Sequence, residues 1–132
     1  MKKTIFLISI LSILLSVFGY SQYKYKVTKC DSYLLMGGKW VFFQENYPKK
    51  MFLDVDSAVF KIDNKDHSVY TLVGDSIIQN YPEFTTYTWS AYDKNKQSCR
   101  AVITELLNDE CTFYFSVFYD DECFNYMLTE ID

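Results

Sequence analysis

Short alternations of apolar and polar residues run along the chain from residue 22 onward. Residues 23–27 alternate tyrosine and valine with lysine, and residues 84–92 divide into a Thr/Ser face and a face that carries Tyr87 and Trp89. A period of two places successive side chains on opposite faces, which is typical of a half-buried β-strand. We therefore predict strands, with Trp89 and its face turned towards a hydrophobic core.

Turn residues separate these alternating segments at short intervals. Residues 36–38, 64–67 and 93–97 are rich in Gly, Asn and Asp, and we also expect interruptions at 30–32 and 74–75. Connections of a few residues are too short for parallel crossovers, so the strands are expected to pair antiparallel. The pattern predicts an all-β meander of about seven to nine strands, closed as a sandwich or a barrel.

The first 21 residues have a different pattern. Lys2 and Lys3 precede an apolar run at 5–17, and Gly19-Tyr20-Ser21 places small residues at the cleavage-type positions before Gln22. This order is typical of a secretory signal peptide, and the run is short for a membrane span. We expect residues 1–21 to be removed on export, which leaves 22–132 as one β-domain without a membrane span, in the periplasm or outside the cell.

Charge and composition narrow the class of partner. Beyond the leader, 11 basic residues face 17 acidic ones, giving a formal charge of −6. An acidic domain is a poor match for nucleic acid or an anionic membrane, because both are bound by neutralising phosphates. A protein partner with a basic surface fits better. The 12 Tyr and 11 Phe residues also favour strands and a core built from rings.

Four cysteines follow the leader, and in an exported chain an even number favours disulfides over free thiols or a metal site. In a meander, the ends of one strand lie too far apart to be bridged. This leaves the pairs Cys30–Cys111 and Cys99–Cys123 as possible disulfides. The second pair flanks an intervening strand, so it forms only if the sheet curls there.

The sequence contains few candidates for catalysis. His67 is the only histidine and lies in a polar turn, while Asp54 and Asp56 are two residues apart on one predicted strand face. No nucleophile motif and no calcium-loop pattern is present. We expect exposed side chains at all three positions, with no catalytic, metal or cofactor site. A small hydrolase is the least favoured function.

Gly38-Lys39-Trp40 resembles the opening signature of lipocalin-type barrels. The resemblance covers three residues and the general meander pattern. It implies a barrel whose Trp40 closes one end and whose cavity carries a small apolar ligand. A carrier of this kind is the alternative to the function we favour, and the simpler interpretation is that Trp40 belongs to an ordinary core.

The favoured function is a non-enzymatic binding module. Apolar residues occupy both faces of 113–119, so this strand lies between two layers or leaves one face free for a partner. Tyrosine is enriched at protein interfaces. The possible interaction surface consists of Tyr114, Phe118, Asp120, Asp121 and Glu122.

Overall fold

The structure, a computed structural model, describes residues 22–108 and 112–131. All described regular elements are antiparallel strands, as predicted. The predicted leader lies outside the described residues. The strands in chain order are β1 (Gln22–Met36), β2 (Lys39–Asn46), β3 (Phe52–Asp56), β4 (Val59–Ile62), β5 (Ser68–Asn80), β6 (Phe84–Asp93), β7 (Ser98–Leu106), β8 (Thr112–Phe118) and β9 (Glu122–Glu130).

Eight strands close into a barrel, and β2 is attached outside it. Neighbouring strands pair in the order β2-β1-β3-β4-β5-β6-β7-β8-β9, and β1 also pairs with β9. This last pairing closes the barrel and decides between the two predicted architectures. In the described part of the chain, no helix is long and apolar enough to cross a membrane.

Strand β1 is long because it has three partners. Residues 22–26 pair with β3, residues 30–36 pair with β2, and residues 25–34 pair with β9 along the opposite edge. The predicted interruption at 30–32 is therefore wrong, since two neighbouring strands hold this segment extended. A bulge at Thr28 shifts the register instead, and its Oγ1 donates to the carbonyl of Met127 over 3.3 Å.

The β1–β2 connection is a tight hairpin. Gly37 and Gly38 both have positive φ, 58° and 78°, between the paired residues Met36 and Lys39. Two positive φ angles in a two-residue loop define a turn that suits the strand twist and favours glycine. The predicted interruption at 74–75 is wrong. Gly74, which also has a positive φ, forms a bulge within β5, and the strand continues beyond it.

Large rings fill the barrel interior. Phe115 is fully buried, with its ring centroid 5.1 Å from Phe60, 5.8 Å from Tyr70 and 6.2 Å from Tyr126. The predicted inward faces of β6 and β8 are confirmed: the buried residues there include Tyr87, Trp89, Ala91, Phe113, Phe115 and Val117. Alternation along each strand thus directs the aromatic residues inward, and the rim of the barrel carries the polar loops.

Candidate functional site

The outer face of the barrel carries a row of aromatic side chains, which we call the outer aromatic surface. Cross-strand pairing aligns one residue from each of five strands, from β7 through β8, β9 and β1 to β2. The surface consists of Arg100, Phe118, Tyr33 and Phe42 from this row, together with Trp40. Since the interior is already filled, these rings cover the outside of the sheet.

Contacts within the outer aromatic surface hold its rings at defined angles. Trp40 meets Phe118 edge to face, with ring centroids 5.8 Å apart, and the guanidinium of Arg100 lies 5.3 Å from the centre of the same ring. Tyr33 and Phe42 form a second edge-to-face pair at 5.8 Å. Trp40 is 40% exposed and Phe42 is 52% exposed, so half of each side chain faces solvent.

The predicted interaction residues lie on or beside this surface. Phe118 is half-buried at its centre, and Tyr114 is half-buried on the same outward face of β8. Asp120 and Asp121 are exposed in the β8–β9 turn, and Glu122 at the start of β9 is half-buried. Asp120 lines a shallow groove of about 380 Å³ together with Trp40, Arg100 and Phe118.

Trp40 does not occupy the position that either sequence interpretation gave it. It lies on β2, outside the closed barrel, and is not an ordinary core residue. It also does not seal the end of the barrel, as the lipocalin resemblance implied. The sequence signal for its exposure is that residues 40–43 are apolar without alternation, so at least part of this run faces outward.

A second feature is a pocket of about 740 Å³ at one mouth of the barrel, which we call the mouth pocket. Its floor contains Tyr70, Tyr119 and Tyr126. Burial raises the pKa of Tyr70, an effect that interactions of its hydroxyl with Ser68, Tyr126 and Tyr119 partly offset. Burial raises the pKa of Tyr70, Tyr119 and Tyr126 above the usual value, so all three remain neutral hydroxyls at physiological pH.

The rim of the mouth pocket is ordered by side-chain hydrogen bonds to the loops. The Tyr119 hydroxyl donates to Oδ2 of Asp93 over 2.9 Å, and Oδ1 of Asp93 accepts the amide N–H groups of Asn95 and Gln97, each at 2.9 Å. In the β4–β5 loop, Asn64 Oδ1 accepts the N–H of Ser68 over 3.0 Å. The polar rim is therefore a defined structure.

The residues considered for catalysis lie elsewhere. His67 is exposed in the β4–β5 turn with a positive φ of 49°, and Asp56 is exposed on β3, as expected. The expected exposure of Asp54 is wrong: it is half-buried, because Lys24 and Lys61 pair with it from the two neighbouring strands. None of the three lines either pocket. Among the described residues, no group of three or more His, Cys, Asp or Glu side chains is arranged to hold a metal ion.

The three described cysteines have free thiols, so the predicted Cys99–Cys123 disulfide is not formed. Cys99 packs in the interior cluster, whereas Cys123 pairs with Phe118 on the outward face. Side chains on opposite faces with β8 between them cannot reach bonding distance. Cys111, the predicted partner of Cys30, lies outside the described residues.

Burial makes these thiols weaker acids than a solvent-exposed cysteine. It raises the pKa of Cys30, Cys99 and Cys123 from about 9 to about 11 in each case. The Cys30 thiol contacts the thioether of Met51 at 3.6 Å beside the mouth pocket. A thiol that keeps its proton at neutral pH is a poor nucleophile.

Comparisons with protein families, with curated proteins and with solved structures found no match for this chain.

Proposed function

We propose that the chain is a non-enzymatic binding module that acts after export and docks a protein on its outer aromatic surface. The observation that carries the proposal is the cluster of exposed Trp40 and Phe42 with half-buried Phe118, outside a barrel whose interior is filled by large side chains. Exposed apolar patches of this kind mark interaction sites. Aromatic and arginine side chains supply most of the binding energy in protein interfaces.

The surroundings of this surface favour a partner with basic groups. Asp120 and Asp121 are exposed at its edge, and the chain beyond the leader has a formal charge of −6. Charges at an interface rim mainly accelerate encounter, and salt screens them, while desolvated rings in the centre determine how long the complex lasts. We therefore assign affinity to Trp40 and Phe118 and steering to the acidic turn.

The alternative, transport of a small apolar ligand inside the barrel, needs interior room. Trp89, Phe113 and Phe115 are almost fully buried there, and the accessible mouth pocket is lined largely by polar side chains. Because large side chains fill the barrel interior, docking of a protein on the outer aromatic surface is favoured over transport of an apolar ligand inside the barrel. A hydrolase has less support still, because His67, Asp54 and Asp56 do not share a cleft.

The proposal is tested by capturing partners with the immobilised chain and measuring the affinity of each captured protein for variants. Trp40→Ala with Phe118→Ala should weaken binding at least 30-fold, since the loss of even one central aromatic residue costs about 2 kcal/mol or more. The control is Ile77→Ala, a 66% exposed apolar residue on β5. Asp120→Asn with Asp121→Asn should mainly slow association at low salt. Equal binding by the aromatic variant and the control would refute the surface.

A further inference from the structure

We infer that the mouth pocket is a second binding site, which takes a neutral saccharide. This goes beyond the proposed protein docking, because the pocket opens on the inner face of the barrel mouth and the outer aromatic surface lies on the outside of the sheet. Its volume of about 740 Å³ is within the range of small-ligand sites, roughly 300–1,000 Å³.

The first argument is unused hydrogen-bonding capacity on one wall. Ser32 pairs across the β1–β2 ladder with Gln44, and Cys30 pairs with Asn46, which places all four at the mouth pocket. Within the described residues, the side chains of Ser32, Gln44 and Asn46 have no hydrogen-bond partner. Each amide offers two donors and an acceptor. A hydroxyl-rich ligand, whose groups both donate and accept, satisfies such a wall.

The second argument is an aromatic corner beside that wall, where Phe124 pairs with Ser32 across the β1–β9 ladder. The rings of Tyr119 and Phe124 meet at 85° with centroids 6.2 Å apart, and both line the pocket. The face of an aromatic ring is the negative end of its quadrupole, so it attracts polarised C–H bonds. A pyranose has one C–H-rich face and a hydroxyl-rich rim. It can therefore pack on the corner while its hydroxyls reach the amides and the tyrosine floor.

The third argument is charge balance. Asp31, Asp66 and Asp93 line the pocket together with Lys65 and Lys94. The third aspartate is balanced by Lys29, whose Nζ lies 3.8 Å from Oδ2 of Asp31. Asp93 is already occupied by two amide N–H groups and the Tyr119 hydroxyl, and the Lys94 ammonium donates to the Asp66 carbonyl. A charged ligand would lose hydration, and the balanced charges around the pocket offer no net opposite charge to compensate for that loss. A wholly apolar ligand would bury the free amides unsatisfied.

The test is titration of the purified chain with named sugars, followed by backbone amide NMR. The probes are glucose, galactose, N-acetylglucosamine, cellobiose and chitobiose, with glucose 6-phosphate and a fluorescent fatty acid as charged and apolar comparisons. At least one neutral sugar should give saturable shifts at residues 30–32, 44–46 and 119–126. Absence of saturable shifts with all five sugars, or saturation only by the phosphate or the fatty acid, would overturn the inference.

Two variants locate the site. Gln44→Ala and Asn46→Ala replace exposed side chains without hydrogen bonds, so folding should be preserved. Each should weaken binding of the responding sugar about 3- to 10-fold, the loss of one or two net hydrogen bonds. The control is Gln79→Ala on the distal half of β5, an exposed amide that accepts only from the exposed Tyr81 hydroxyl, over 3.2 Å; this variant should bind normally. Unchanged binding by both pocket variants, or an equal loss in the control, would contradict the assignment.

Discussion

Replacing Trp89 tests the core more sharply than any other substitution. Its side chain is 1% exposed, and its ring lies 6.5 Å from that of Tyr87 in a stacked arrangement. A fully buried aromatic side chain removes about 150–250 Å² from water, worth roughly 4–6 kcal/mol at about 25 cal/mol per Å². Alanine retains part of this burial, and the barrel relaxes partly into the void. Trp89→Ala should therefore lower the free energy of unfolding by about 3–5 kcal/mol.

The ring nitrogen of Trp89 makes the phenylalanine variant informative. Among the described residues no hydrogen-bond partner reaches its buried Nε1–H, and an unsatisfied buried donor costs the native state about 1–3 kcal/mol. Trp89→Phe removes this unsatisfied donor and keeps most of the apolar ring. The smaller ring leaves a void whose cost is roughly 1 kcal/mol. The two effects nearly cancel, so Trp89→Phe should lie within about 1 kcal/mol of the parent chain.

Urea unfolding followed by far-ultraviolet circular dichroism measures both changes as shifts of the midpoint. The control is Tyr92→Ala on the same strand, where the side chain is 46% exposed and the loss should stay below about 1 kcal/mol. The reasoning fails if Trp89→Ala costs less than about 1 kcal/mol. The argument about the unsatisfied nitrogen fails separately if the phenylalanine variant is as unstable as the alanine variant.

Three further predictions concern the thiols, pH and the hairpin. A disulfide reagent at pH 8 should react slowly with Cys30, Cys99 and Cys123 in the native chain and rapidly in denaturant, because burial raises the pKa of each thiol to about 11. Fast labelling of all three thiols in the native chain would contradict this. Because the pKa of each thiol is higher in the folded than in the unfolded chain, the thiols contribute stability that is present below about pH 9 and lost as the pH rises towards 11. The urea midpoint should therefore fall between these two pH values. A midpoint that stays constant across the interval would argue against this. Gly37→Asn should leave the NMR spectrum of β2 nearly unchanged, because asparagine tolerates a positive φ. Gly38→Val, at a φ of 78°, should broaden the amide resonances of β2. Equal spectra for the two variants would show that the turn type is wrong.

Local pattern predicted much of the fold because burial in a strand repeats every two residues. The inward faces of β6 and β8 follow directly from this alternation, as Trp89 and Phe115 show. The sequence-based predictions were wrong where strand partners that are distant in sequence determine the local backbone conformation. Residues 30–32 remain extended because β2 and β9 flank them, and Gly74 forms a bulge because β6 pairs on both sides of it. Neither partner can be identified from the local sequence.

The candidate sites were predicted in part, for the same reason. Phe118 and Asp120 are close in sequence, so an outward aromatic beside an acidic turn could be proposed from one segment. Trp40 and Arg100 join them only through the order of the strands. The mouth pocket was missed entirely, since its amides, tyrosines and loop residues come from separate segments that meet when the barrel closes. The disulfide error has the same cause, because the face of Cys123 depends on its register with β8.

The β1–β9 seam has a consequence for folding kinetics. It joins Tyr25 to Glu130 and Leu34 to Glu122, pairs that lie far apart along the chain. Forming contacts between such distant residues costs loop-closure entropy before the contacts stabilise the fold. Barrel closure should therefore be a slow step, on the order of milliseconds to seconds. Until β9 has docked, β1 and β8 each present an open strand edge, which other chains can join. The interval before closure is therefore the stage at which this chain is most prone to aggregate.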